Sequence, residues 1–179
     1  MNRKTLTAVA GLLLALSISA EAQTSPYAGQ QDRPIKALSD EEILSYLNGE
    51  GLGYAKAAEL NRYPGPRHVL DLATQLGLTE PQKQRVQGIY DAMHEKAARL
   101  GKEIVSHEAV LDSLFSSRII DSAGLRSLVS EIAQLQGDLR ATHLQAHLAV
   151  TRILAPDQIL AYDRLRGYSG STEHEGMKH

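Results

Sequence analysis

His143 and His147 stand four residues apart in a long helical pattern, so their imidazoles project from one helix face a turn apart. Two such nitrogens converging at ~2.0–2.1 Å can hold a zinc-like divalent ion. The spacing by itself describes surface histidines equally well. What adds to it is His94, on an earlier helical stretch, with Asp91 and Glu95 close by as candidate fourth ligands. The other histidines carry less. His107 occupies a stripe position between Ile104 and Leu111 and reads as a core or interface residue. His68 follows Pro64-Gly65-Pro66-Arg67 and reads as local capping or packing. His174 and His179 lie in a polar tail, where solvation competes with weak metal scavenging.

The sequence offers little other chemistry. There is no cysteine, so neither a disulfide nor a thiolate is available. No Gly-x-Ser-x-Gly elbow occurs, and Gly49, Gly51 and Gly53 are not followed by a phosphate-binding Lys-Ser/Thr pair. Glu41 and Glu42 suit the start of a helix, where negative charge is favoured. The expectation is a protein that is not an enzyme. A net charge of -2 gives no electrostatic case for nucleic acid or anionic lipid.

The elements that must position the histidines are long helices. Val86, Tyr90, Met93, Ala97, Leu100, Ile104, Leu111 and Leu114 recur at steps of three and four, or once their sum, and predict a helix over about 80–115. Leu125, Leu128, Ile132, Leu135, Leu139, Thr142, Ala146, Ala149 and Ile153 form a near-heptad seam and predict a second over about 122–154. The short turn around Arg118 makes the two antiparallel, so that residues whose numbers total ~237 lie level. His94 then faces His143, with Asp91 close to the level of His147, which brings the three imidazoles to one edge of the hairpin. Leu144 and Leu148 lie on the other side of the second helix and need a cover, either the short flanking helices or a second copy in a homodimer. The fold class is all-α: a long antiparallel helical hairpin with short flanking helices.

Shorter signals complete the organisation. Arg3 and Lys4, an apolar run over 6–19 and the small-x-small site Ala20-Glu21-Ala22 read as a signal peptide over 1–22, with an uncleaved anchor as the alternative. Its loss takes the net charge to -3. Residues 23–38 read as a flexible leader, 39–167 as the helical domain and 168–179 as a disordered tail. Ser39 and Glu42 make a capping-box pattern for a short first helix, and Pro64-Gly65-Pro66 is a turn ahead of another.

Two segments share a design. Leu78-Thr79-Glu80-Pro81-Gln82 and Leu154-Ala155-Pro156-Asp157-Gln158 each place an apolar residue before a helix start and a Gln three residues into it. On Leu78, Thr79, Gln82, Leu154, Pro156 and Gln158 the chain resembles the periplasmic Spy/CpxP family, whose members carry a doubled Leu-Thr-x-x-Gln motif. The second copy departs from it at Ala155. Tyr63 to Leu70 and the run His143 to His147 are similar to the heavy-metal resistance and sensor branch of the CnrX type. The resemblance implies a helical, dimeric, periplasmic protein acting as a metal-responsive sensor or sequestering protein, as an ATP-independent chaperone of unfolded clients, or as an adaptor on a membrane-bound signalling regulator. The divalent transition metal it implies is Zn, Cu, Ni or Co. Sensor-type relatives carry a histidine pair before the first motif where this chain has His68. Chaperone-type relatives have a basic concave face, whereas this chain is mildly acidic.

Overall fold

The computed structural model describes residues 24–168, and the signal-peptide and tail expectations lie outside them apart from Tyr168. Residues 24–31 form a unit of their own, with turns closed by Ala28 N to Ser25 O and Gln30 N to Tyr27 O. From Asp32 onward the described residues form six helices in order: α1 Asp40–Leu47, α2 Lys56–Glu59, α3 Pro66–Asp71, α4 Glu80–Ser116, α5 Ser122–Thr151 and α6 Pro156–Leu165. Among the described residues there is no strand, and no helix is long and apolar enough to cross a membrane.

The hairpin is α4 and α5, of 37 and 30 residues. At ~1.5 Å per residue these are rods of ~55 and ~45 Å. Arg118 takes a left-handed turn conformation (φ 56°), and Asp121 caps α5 by accepting from Gly124 N. The register follows the expected pairing: His107 Nε2 stands 3.4 Å from Glu131 Oε2. Two apolar clusters line the seam. The first holds Val69, Leu76, Leu78, Val86, Val150, Leu154 and Tyr162, and the second Ile35, Leu38, Tyr46, Ala97, Ile104 and Leu139.

The leader differs from the sequence expectation. Ile35 and Leu38 are buried in the second cluster, and Lys36 donates to Asp112 from both its backbone and its side chain. The segment from Ile35 is therefore held in place, because two apolar side chains find cover on α4. Ser39 and Glu42 form the capping box that starts α1. The close contact of α1 with α4 depends on Gly101, where a Cβ would lie 1.9 Å from Tyr46 O.

The two motif glutamines have one structural job between them. Thr79 accepts from Gln82 N, and the Gln82 side chain accepts from Thr79 N at 3.0 Å. Ala155 has no side-chain cap to offer, but Gln158 Oε1 still accepts from Ala155 N at 2.9 Å. The two side chains then meet: Gln82 Nε2 donates to Gln158 Oε1 (2.9 Å) and to Ile153 O (3.1 Å), while Gln158 Nε2 reaches Leu76 O at 3.3 Å. This clasp ties the start of α4 to the start of α6 and closes the open end of the hairpin. Replacing Gln158 by Leu strands several buried backbone groups at a cost of ~1–3 kcal/mol each, partly relieved by water. Urea unfolding should show a loss of about 2–4 kcal/mol; an unchanged midpoint would mean the clasp contributes nothing.

Candidate metal centre

His143 and His147 are both buried on α5, at 4% and 7% exposure. They sit beside Thr142, Ala146 and Val150, so the pair rides on the inner face of the helix. Above them run the 48–56 loop and α2. Three residues of that loop have left-handed backbone: Gly49 (φ 63°), Leu52 (φ 43°) and Gly53 (φ 76°). The cavity they border is partly open to solvent, measures about 770 Å³ and includes His94, His143, His147, His68 and Glu59 in its walls, with Tyr90 and Met93 from α4.

Each ring has its own environment. His143 Nε2 is buried without a hydrogen-bond partner, an orphan that a native fold rarely tolerates. Its pKa lies below the ordinary histidine value: burial is the main cause, followed by the nearby His147 and His94. His143 is thus held neutral, the form that ligates metal. His147 Nδ1 is 2.6 Å from Tyr63 O and, as the donor, leaves the lone pair on Nε2. Gly65 makes room for this ring, since a Cβ there would stand 2.9 Å from Cε1 and 3.2 Å from Nε2. His94 is exposed and leans on Tyr90, with ring centroids 5.6 Å apart.

Glu59 was not legible as a site residue. Its Oε1 accepts from Tyr162 (2.6 Å), Tyr168 (3.0 Å) and Arg166 (3.3 Å), and its Oε2 lies 3.8 Å from His147 Nδ1. Burial opposes its charge, but the two tyrosine hydroxyls, with His147 and Arg166, outweigh that and keep its pKa below the usual value. A half-buried carboxylate so satisfied anchors α2 to α6 beside the histidines. No periodicity marks it, because its partners lie more than 100 residues away.

The structure brings His94, His143 and His147 to one cavity. It does not bring Asp91, which is exposed and accepts from Gln87, nor Glu95, which pairs with Arg99. The physical reason is the helical turn: Asp91 and Glu95 point outward from α4, away from the seam. His68 borders the cavity, with Nδ1 3.9 Å from Asp71 Oδ2. His107 is half-buried and bonds Glu103 O through Nδ1, far along the hairpin from this cavity. Among the described residues no group of three His, Asp or Glu side chains stands at coordinating spacing.

Residues 51–161 match the model of the heavy-metal resistance family. The chain belongs to that family. The match takes in the glycine loop from Gly51 onward, α2, α3, the whole hairpin and the first half of α6, and so Glu59, His68, His94, His143 and His147 of the cavity. No curated protein and no solved structure matches the chain. The residues fit a metal in a specific sense: one orphaned neutral imidazole nitrogen and one fixed tautomer share a cavity with a third, exposed imidazole.

The neutral state of His143 has a sign-defined consequence for stability. Its folded pKa is depressed, so between that value and the ordinary ~6.5 the unfolded chain binds the extra proton. Stability is full above ~6.5 and falls as the pH drops toward the folded pKa, by at most ~1.4 kcal/mol per pH unit. In chelator, the wild type should therefore lose stability below ~6.5 faster than His143→Phe does. Parallel curves in denaturant melts across that window would contradict this.

Proposed function

We propose that this heavy-metal resistance protein is an exported, periplasmic, non-enzymatic binder of a divalent transition metal, and that it acts as a sensor or sequestering protein. The observation that carries the reading is the buried, unpartnered Nε2 of His143 beside His147 in a cavity. His143 and His147 would hold the ion, and His94 is the third candidate. The ion would supply a bond across α4 and α5 that favours one arrangement of the hairpin. Imidazole donors suit Zn, Cu, Ni or Co, and Met93 in the wall adds a soft group. Isothermal titration of the full mature chain with Zn²⁺, Cu²⁺ and Ni²⁺ tests the reading; no saturable binding by any of them ends it. Acidification, which protonates ligating nitrogens, should release the ion.

A second reading has its own support. Val110, Phe115, Ile119 and Val129 are all exposed around the closed end of the hairpin, with Ile119 at 70%. A cluster of that kind suits a holdase that shields unfolded clients. Light scattering of an aggregating client separates the readings: full protection in chelator favours the holdase, and no protection with or without chelator favours the metal sensor. A homodimer and an adaptor role on a membrane-bound regulator remain proposals of the family resemblance.

A further inference from the structure

The hydrogen bond that fixes His147 is made by a loop with unusual backbone. After α2, Tyr63 N bonds Ala58 O at 3.1 Å, and the chain turns through Arg62 with φ 65°. That is the left-handed stop of a helix, where glycine is the least costly residue and a side chain costs ~1 kcal/mol or more. Arginine is kept here, and Arg62 Nε reaches Asp163 Oδ2 on α6 at 3.3 Å. Asp163 is itself an anomaly. Its side chain is 5% exposed, and its other oxygen, Oδ1, has no hydrogen-bond partner. A strained backbone and a half-satisfied buried carboxylate are two costs borne at one point. The next residue is Tyr63, whose carbonyl takes the Nδ1 proton of His147. Two residues further, Gly65 leaves room for the ring.

We propose that Arg62 and Asp163 are positioning residues for the histidine pair. Together they hold the 60–65 loop against α6 so that Tyr63 O selects the Nδ1-protonated tautomer of His147. The Nε2 lone pair is then the ring's donor, and it has no hydrogen-bond partner among the described residues. A metal site needs this, because the tautomer of a ligating histidine is set by the hydrogen bond at its other nitrogen. Neither residue touches the site itself. The purpose of the arrangement rests on the metal reading above; the arrangement can be measured without metal.

The test is a long-range ¹H–¹⁵N correlation spectrum of the ¹⁵N-labelled full mature chain in EDTA at about pH 8, where histidines are neutral. Wild-type His147 should show a single tautomer with Nδ1 protonated. Asp163→Asn and Arg62→Ala should both give a tautomer mixture, and zinc affinity should fall ~10-fold. Arg62→Lys should restore the single form. Arg62→Ala leaves the buried Asp163 carboxylate without its partner and so lowers stability itself, which is why Arg62→Lys, keeping the charge, is measured beside it. A loss of melting temperature with an unchanged His147 tautomer in Arg62→Ala would overturn the proposal, as would a tautomer mixture in the wild type. A wild type that binds no zinc would instead defeat the metal reading and leave the spectrum as the judge of the loop.

Discussion

His143→Ala should lower the affinity for zinc by at least ~100-fold, and His147→Ala should do the same. Removing one of two buried imidazole donors leaves a single one, and a lone histidine competes poorly with water for the ion. Second-shell changes alone cost ~10–100-fold, so loss of a direct ligand should exceed them. His94 is exposed and leans on Tyr90, so His94→Ala should cost less than either buried histidine. Asp91→Asn should cost nothing, since Asp91 faces away from the cavity. The same series has a stability readout. Zinc at 100 times its dissociation constant should raise wild-type stability by ~2.7 kcal/mol, and this gain should vanish in His143→Ala. Without metal the alanine variant also removes an orphaned buried nitrogen at the price of a cavity, so its own stability is a weaker guide than the metal-dependent increment. Equal zinc affinity in wild type and His143→Ala would remove this site altogether.

The hairpin was legible because its signal is local. Steps of three and four along α4 and α5 fix two helices, and a short turn leaves them only one way to pack. The level pairing of His94 with His143 followed from that register alone, and the two do share one cavity. The motif was legible as a helix start, and Thr79 and Gln82 make the cap it foretold. That Gln82 and Gln158 bond each other was not, since the contact joins residues 76 apart and no local pattern encodes it. The same holds for the roof of the histidine cavity. Glu59, Tyr63 and Gly65 act on residues of α5 and α6 through chain reversal, in a stretch with no periodicity to read. A signal was nonetheless present: Thr142, His143, Ala146, His147 and Val150 follow the spacing of an inner helix face, which places both histidines indoors. Asp91 and Glu95 were candidates by proximity along the chain, and helix geometry turned them outward.

Glycines inside long helices are where sequence and structure give opposite expectations, and the sign of a substitution decides between them. Gly88, Gly101 and Gly137 all lie within α4 or α5. By helix propensity each should gain up to ~1 kcal/mol on replacement by Ala. At Gly88 and Gly137 a Cβ would meet nothing within 4 Å, so Gly88→Ala and Gly137→Ala should stabilise by that amount. At Gly101 it would lie 1.9 Å from Tyr46 O, 2.6 Å from its carbonyl carbon and 3.0 Å from its Cα. These are backbone atoms of α1, which cannot swing aside as a side chain would. Either α1 moves bodily or it comes off. Movement costs ~1–3 kcal/mol by the usual scale of overpacking, and detachment forfeits the burial of Tyr46 and loosens Ile35 and Leu38, at ~1.5–3 kcal/mol for each apolar side chain lost. The clash therefore exceeds the propensity gain, and Gly101→Ala should destabilise by about 3 kcal/mol. Hydrogen exchange should show where: amides of α1 lose protection while the clasped end around Gln82 and Gln158 keeps it. A Gly101→Ala protein as stable as Gly88→Ala in urea would mean that α1 does not lie on α4 in solution.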